Sequence, residues 1–516
     1  MVSPIWLVGT VLALQVPPPP STPPPSKALR AESRAILGRE EAGLEALAGR
    51  LKGRGQGDPA AEVLAQADPP PPADGSSRFV PLPAVVPGPS GRLAVEQAAQ
   101  TWQSELRAIR TTSAKALFDL ATRAAAEGSK QYALADECLR AVLSRQPDHA
   151  EARRLLGYVP HEGGWATPYA VRQLGQKKVL HPTFGWVWAS WVPHLDQGEL
   201  PAPFETPEKV RWLPADQADA LRSRWGRGWT IETEHFKIET NVPLSEVITF
   251  GRQLEGFHDL FYALLADVIG DSSYLARRYQ GKSIAEEKSS QPHLVYYFAT
   301  REEYLDHVLR RHGPAYEETL GAYIPPKPGK GKRAPAYFFR DVEGQLAATE
   351  TLYHEASHQL LFESGAPNAY QKNVGNYWVF EGMGTYFETV TEAPDGSLRF
   401  GGPVGPRIQE ARKRLVDEGA IVPIAHLVQL DTKGLYRDEV KYLQYAEAMA
   451  LTVFLMNARG GEYRDAFLEY FKDACRGRLR LRTGRSLESR LGVTYATLEA
   501  QFLHYLKTTA PRPHPR

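Results

Sequence analysis

The chain has 516 residues, 42% of them apolar, which is material for two or three domains with sizeable cores. Its 61 Lys and Arg balance 60 Asp and Glu, so bulk charge gives no case for nucleic acid or an anionic membrane as a partner. Only two cysteines occur, Cys138 and Cys475, far apart and each within a helical pattern, which argues for buried thiols and against a disulfide framework or a cysteine metal site.

At the N-terminus, "MVSPIWLVGTVLALQVPPPP" holds an apolar stretch from Ile5 to Leu14. It has the length of a signal-peptide core and is too short for a stable membrane anchor; Val11 and Ala13 supply a small-residue cleavage pattern, although the positive n-region is missing. Residues 1–16 are therefore expected to be a signal peptide, and the product is expected to be exported, periplasmic or extracellular, and soluble after cleavage. No later stretch is long and apolar enough to span a bilayer. Residues 17–91 read as a Pro-rich, largely disordered linker carrying one isolated helix within Lys27 to Ala67.

From Leu93 the pattern changes to paired helices. "AKALFDLATRAAAEGSKQYALADECLRAVLSRQPDHAEARRLLGY" has apolar residues at helical spacing, a break at Gly128 and a turn from Pro147 to His149. With Gly128, Ala133, Ala135 and Pro147 near its small-residue and turn positions, this stretch resembles a tetratricopeptide repeat. Only one to one and a half repeats are visible, so residues 92–175 are expected to pack on a neighbouring domain. His149 and His161 have no ligand partner at metal spacing. Residues 176–228 are dense in tryptophan and read as a packing wedge in preference to a carbohydrate platform.

Beyond Trp229, "WTIETEHFKIETNV" alternates as strands do, a helix is expected through Ser245 to Val268, and "PHLVYYFAT" and "REEYLDHVLRRH" add a strand and a helix. "APAYFFRD", Ala334 to Asp341, reads as a further strand. The basic loop "KPGKGKR", Lys327 to Arg333, reads as a solvated hairpin. This order predicts an α+β domain over residues 229–508 with a small mixed sheet and, after Glu388, a mainly helical second lobe.

The next helix carries the chemistry. In "TLYHEASHQLLFE", His354 and His358 stand four residues apart with Glu355 after the first. Residues i and i+4 share one helix face, so both imidazoles can reach a single ion that Glu355 would flank. With 14 histidines in the chain the bare motif is weak, and a catalytic zinc wants a third protein ligand. "NYWVFEGMGTYFETV" supplies one acid, Glu381, in an otherwise apolar turn, where a carboxylate needs a partner. Gly382 and Gly384 are expected to let this helix approach the first one closely.

HEASH followed after 22 intervening residues by Glu381 in "WVFEGMGTYFE" resembles the gluzincin metallopeptidases, and more narrowly the peptidase-MA-like family. The resemblance implies that His354, His358 and Glu381 hold one Zn²⁺ and that Glu355 is the general base of peptide-bond hydrolysis. It implies that a strand preceding the zinc helix, here Ala334 to Asp341, pairs with an extended peptide or protein substrate; a purely structural strand stands beside that reading. Within "YLQYAEAMALTVFLMN", the family's Y-A-x-A segment implies that Tyr445 stabilises the oxyanion, although Tyr442 and Tyr445 also suit a packed helix. Thr385 stands where related enzymes place an aspartate that orients a histidine; Glu388 is a candidate for that role and also suits a solvated surface. The competing function is a binding or scaffold protein that keeps the peptidase fold and works through its repeat-like region.

Overall fold

The structure is a computed structural model that describes residues 25–70, 72, 75–88, 101–203, 209–282, 291–327, 333–340, 348–365, 375–403, 405–437, 439–480 and 486–509. The expected signal peptide, the start of the folded body at Leu93 and most of the basic loop lie outside these residues.

Alternation of buried and half-buried residues makes Phe236–Thr240 a strand, and it lies in a five-stranded sheet with an α+β arrangement of helices around it. The order across this sheet is Ala322–Tyr323, Ala336–Phe339, His293–Phe298, Phe236–Thr240 and Trp229–Glu232. The three inner strands are parallel, and each outer strand runs antiparallel to its neighbour. One expectation is corrected here: the strand read from "APAYFFRD" is interior, and the edge is Ala322–Tyr323. Only two residues pair at that edge and Pro325 and Pro326 follow at once, so the stretch shows no strand periodicity.

Helix Leu244–Leu264 and helix Arg301–His312 follow the second and third strands of this chain region, the latter capped by Thr300 Oγ1, which accepts from Glu303 N at 3.2 Å. The HExxH helix, Ala348–Glu363, is bolted to the sheet by the fully buried Gln359, whose Nε2 donates to Leu294 O at 2.8 Å and Ala334 O at 3.1 Å. Every residue of helix Trp378–Phe387 is buried, between the HExxH helix and helix Lys441–Gly461. Such all-round burial suits its apolar sequence, with Glu381 and Thr385 as the polar exceptions.

The N-terminal region is more ordered than its composition suggests. Two helices, Pro25–Gly53 and Gly57–Leu64, replace the expected single isolated one, and they bury Leu44, Leu47, Leu51 and Val63 with Trp102 of helix Thr101–Ala125. Helices Thr101–Ala125 and Tyr132–Arg145 form a second core that includes Ala266, Leu275 and Ala276 of the sheet-bearing body. Within the stretch read as linker, Ser77–Phe79 pairs antiparallel with Leu398–Phe400 and Val85–Val86 with Gly164–Ala166. Backbone pairing across more than three hundred positions leaves no local signal in a Pro-rich sequence. In the Trp-rich segment, Val187, Leu195 and Leu200 join the main core, with Trp191 and Trp212 packed against it. Cys138 and Cys475 are free and buried, and no described helix is long and apolar enough to cross a membrane.

Candidate metal centre

One helical turn brings His354 and His358 together, with their Nε2 atoms 3.1 Å apart. The Glu381 Oε2 lies 3.6 Å from the first and 3.7 Å from the second. Ligand atoms about 2.0 Å from one tetrahedral ion stand roughly 3.3 Å from each other, so this triangle has the size of a zinc site. Among the described residues it is the one group of three or more His, Cys, Asp or Glu side chains with that property.

The direction of the lone pairs can be read from the surrounding bonds. His354 Nδ1 lies 2.9 Å from Glu388 Oε1, so Nδ1 keeps a proton in either charge state and, in the neutral imidazole, the lone pair falls on Nε2, which is turned toward the other two ligand atoms. A carboxylate and two imidazole nitrogens converging on one point fit a proton or a metal cation between them. Burial by itself lowers the His354 pKa, yet hydrogen bonds to the carboxylates of Glu381 and Glu388 outweigh it and hold the value at about 10. For Glu381 burial acts upward, and the charge of His358 with hydrogen bonds from both imidazoles brings its pKa well below the usual carboxylate range. The pocket thus favours positive charge at its centre.

Glycine makes the approach possible. A Cβ on Gly384 would stand 3.0 Å from His354 Cε1 and 3.2 Å from His358 Nε2, so a side chain there would intrude among the ligands. Gly382 serves a different neighbour from the one expected: a Cβ there would meet Ala448 O at 3.0 Å, on helix Lys441–Gly461.

Around the triangle, Glu388 fills the place that the sequence left open. Thr385 Oγ1 donates back to Glu381 O at 2.8 Å and turns away from the histidines, whereas the buried Glu388 joins His354 to Arg407, whose Nε donates to its second oxygen. The Glu355 Oε2 accepts from the backbone N–H of Tyr323 at 2.7 Å, tying the acid to the edge strand. Gly321 permits this closeness, since a Cβ on it would lie 2.7 Å from Thr351 Cγ2. Glu363 is remote from the triangle, with Oε2 2.6 Å from His293 Nδ1.

Three tyrosines close the other side. Tyr436 OH donates to Glu381 Oε1 at 2.7 Å, its ring 5.9 Å from Tyr377 and 5.6 Å from Tyr445. Desolvation of the hydroxyl ends and the Glu381 charge push Tyr436 and Tyr445 well above their ordinary pKa, so both remain proton donors, although Tyr436 as a whole is 40% exposed. Tyr445 thus lies beside the ligand set, and Tyr442 is 63% exposed. Tyr436 was invisible to sequence reading because it sits in an irregular stretch before the helix, outside any periodic pattern.

Residues 348–478 match the model of a family described as "Protein of unknown function (DUF1570)". That span begins with the HExxH helix and takes in Glu381, Glu388, Tyr436 and Tyr445. No curated protein matches the chain.

Proposed function

We propose that the chain is an exported zinc-dependent peptidase of the gluzincin type. The observation that carries this reading is the convergence of His354 Nε2, His358 Nε2 and Glu381 Oε2 at distances suited to one tetrahedral ion. Zinc held there would supply Lewis-acid polarisation of a water and of the scissile carbonyl. Glu355 takes the proton of the attacking water and returns it to the leaving amine. With Oε2 anchored by Tyr323 N, its other oxygen is the one available for that proton.

The neighbouring residues support a peptide as substrate. Ala322–Tyr323 is the sheet edge beside Glu355, so an extended chain adds its backbone there, in place of the interior strand first considered. Tyr445 donates to the developing oxyanion, and Tyr436 holds Glu381 in its ligating orientation. In this proposal the N-terminal helical layer, with its likeness to a tetratricopeptide repeat, serves as packing for the catalytic body.

Purified protein should contain close to one tightly held zinc per chain, and a peptide library should be cleaved in a chelator-sensitive way. Glu355→Gln should keep the zinc and lose cleavage, because the amide preserves shape without basicity. A metal content of a few tenths of an equivalent or less would transfer the case to the scaffold reading.

A further inference from the structure

Away from the metal centre lies a cavity of about 1100 Å³, between the Trp-rich segment, the strand Trp229–Glu232 and the strap of residues 81–84. Trp188, Trp191, Leu195, Trp229 and Leu244 give it an apolar wall, with the rings of Trp188 and Trp191 4.7 Å apart. Set into this lining is Arg222, 6% exposed, its guanidinium carbon 3.7 Å above the Trp229 ring. Among the described residues it forms no ion pair, and Nη1 has no hydrogen-bond partner.

Three nearby acids are engaged elsewhere; Glu232, Glu234 and Glu392 line the cavity as well, Glu234 accepting from Thr167 Oγ1 at 3.1 Å. Asp219 Oδ1 accepts from Trp229 Nε1 and Leu244 N, both at 3.0 Å. Of the acids lining the cavity, Glu255 holds His235 Nδ1 at 2.7 Å and Asp259 holds Arg140 Nη1 at 3.1 Å. Two other cations of the wall are also occupied: Lys178 Nζ donates to Gln173 Oε1 at 2.9 Å, and Arg252 Nη1 to Pro182 O at 3.0 Å. Desolvation, partly countered by Asp219, lowers the Arg222 pKa from its ordinary value. A buried cation that is compensated only in part is costly, and a ligand anion would complete the compensation.

We propose that this cavity binds a carboxylate-bearing ligand with an apolar acyl or aromatic body, the carboxylate drawn to the Arg222 guanidinium set in the wall and the body against Trp188, Trp191 and Trp229. A guanidinium matches a planar, singly charged carboxylate. Free acids and the C-terminal residue of a peptide share this chemistry. The site stands independently of the metal centre.

Calorimetry and intrinsic tryptophan fluorescence on the whole chain, with decanoate below its micellar concentration and decan-1-ol as neutral twin, test the proposal. Decanoate should bind saturably and about 10-fold or more tighter than the alcohol, the range of one charge-assisted hydrogen bond. Arg222→Met should reduce the acid to the alcohol's affinity, and a chelator should leave acid binding unchanged. Acetylated leucine peptides ending in a carboxylate or an amide then assign the source: tighter binding of the free-carboxyl peptide than of decanoate marks a peptide C-terminus, the reverse a free acid. Equal binding of acid and alcohol overturns the proposal, as does acid preference surviving in Arg222→Met, or acid binding that vanishes with the chelator. Should Arg222→Met fail to fold, the acid and alcohol comparison on the parent chain decides.

Discussion

Glu388 Oε1 stands 2.9 Å from His354 Nδ1, two helical turns beyond Glu381 on the same helix. One short helix and its C-terminal cap therefore offer both the third candidate ligand and a carboxylate beside the first, with Arg407 closing the chain of contacts. The resemblance seen in the sequence implies an aspartate at the position of Thr385; here a longer side chain stands about one turn further on.

That relationship predicts a graded effect. Glu388→Gln keeps a hydrogen-bonding group beside Nδ1 but removes the charge that favours the Nε2-ligating tautomer, and it should weaken zinc binding by about 10-fold to 100-fold. Competition with a chelating dye measures it. Unchanged affinity would show that Glu388 merely fills space.

Tyr436 and Tyr445 should separate by kinetics. Tyr436→Phe removes the donor to Glu381 Oε1, so it should lower zinc affinity with a modest effect on the turnover of zinc-saturated protein. Tyr445→Phe should leave zinc affinity near normal and reduce kcat by about 10²-fold or more, as loss of an oxyanion donor does. Exchanged outcomes would exchange the two roles.

Gly384→Ala tests the packing argument without touching a ligand. Its Cβ would press on His354 Cε1 at 3.0 Å and His358 Nε2 at 3.2 Å, tighter than ordinary contact. The variant should fold, by circular dichroism, yet lose most of its zinc.

Where the structure brings together residues singled out in the sequence, the signal was local. His354, Glu355 and His358 lie on one helix face, and Glu381 is an acid among Phe380, Met383 and Trp378, so both features follow from spacing and burial cost. Where it failed, the structure depends on distant pairing. Ala322–Tyr323 is an edge strand because Ala336–Phe339 comes back beside it, and Ser77–Phe79 is a strand because Leu398–Phe400 lies next to it. Helix Pro25–Gly53 carries Leu44, Leu47 and Leu51 on one face, a pattern obscured by its Ala, Glu and Arg content and by the prolines on either side. The strap also accounts for the Trp-rich segment's surroundings, since residues 81–84 line the same cavity.

A pH effect should also arise from a buried acid outside the ligand triangle. Glu447 is fully buried, one carboxylate oxygen accepting from Val422 N at 3.0 Å and the other without a partner among the described residues. Burial raises its pKa from 4.5 to about 8, with the Val422 hydrogen bond opposing and Glu499 adding to the rise. The folded state thus binds the proton more tightly than the unfolded one. Its stabilising contribution is complete below pH 4.5 and is lost as pH climbs to about 8. At about 1.4 kcal/mol per unit the loss is on the order of 5 kcal/mol. Glu447→Gln cannot ionise, so it should match the parent at pH 4 and exceed it in denaturant midpoint at pH 8. Taking the difference between the two proteins cancels every other titration; equal midpoints at both pH values would refute the assignment.

Truncation now carries an expectation opposite to the one that composition suggested. A Pro-rich linker ought to be dispensable, and removing residues 1–91 ought to leave zinc content and stability intact. In the structure that cut deletes the strand paired with Leu398–Phe400, the strand paired with Gly164–Ala166, and the two helices that cover Trp102. It also removes Arg30, whose Nε donates to Asp465 at 3.0 Å across the molecule. The shortened chain should melt several degrees lower and aggregate through the uncovered apolar face of helix Thr101–Ala125, while its zinc stoichiometry, set by residues 354–388, should remain near one per folded molecule. Thermal melts with parallel metal analysis separate the two effects. A truncated protein as stable and monomeric as the parent would mean that the strap and the first two helices lie on the body without supporting it.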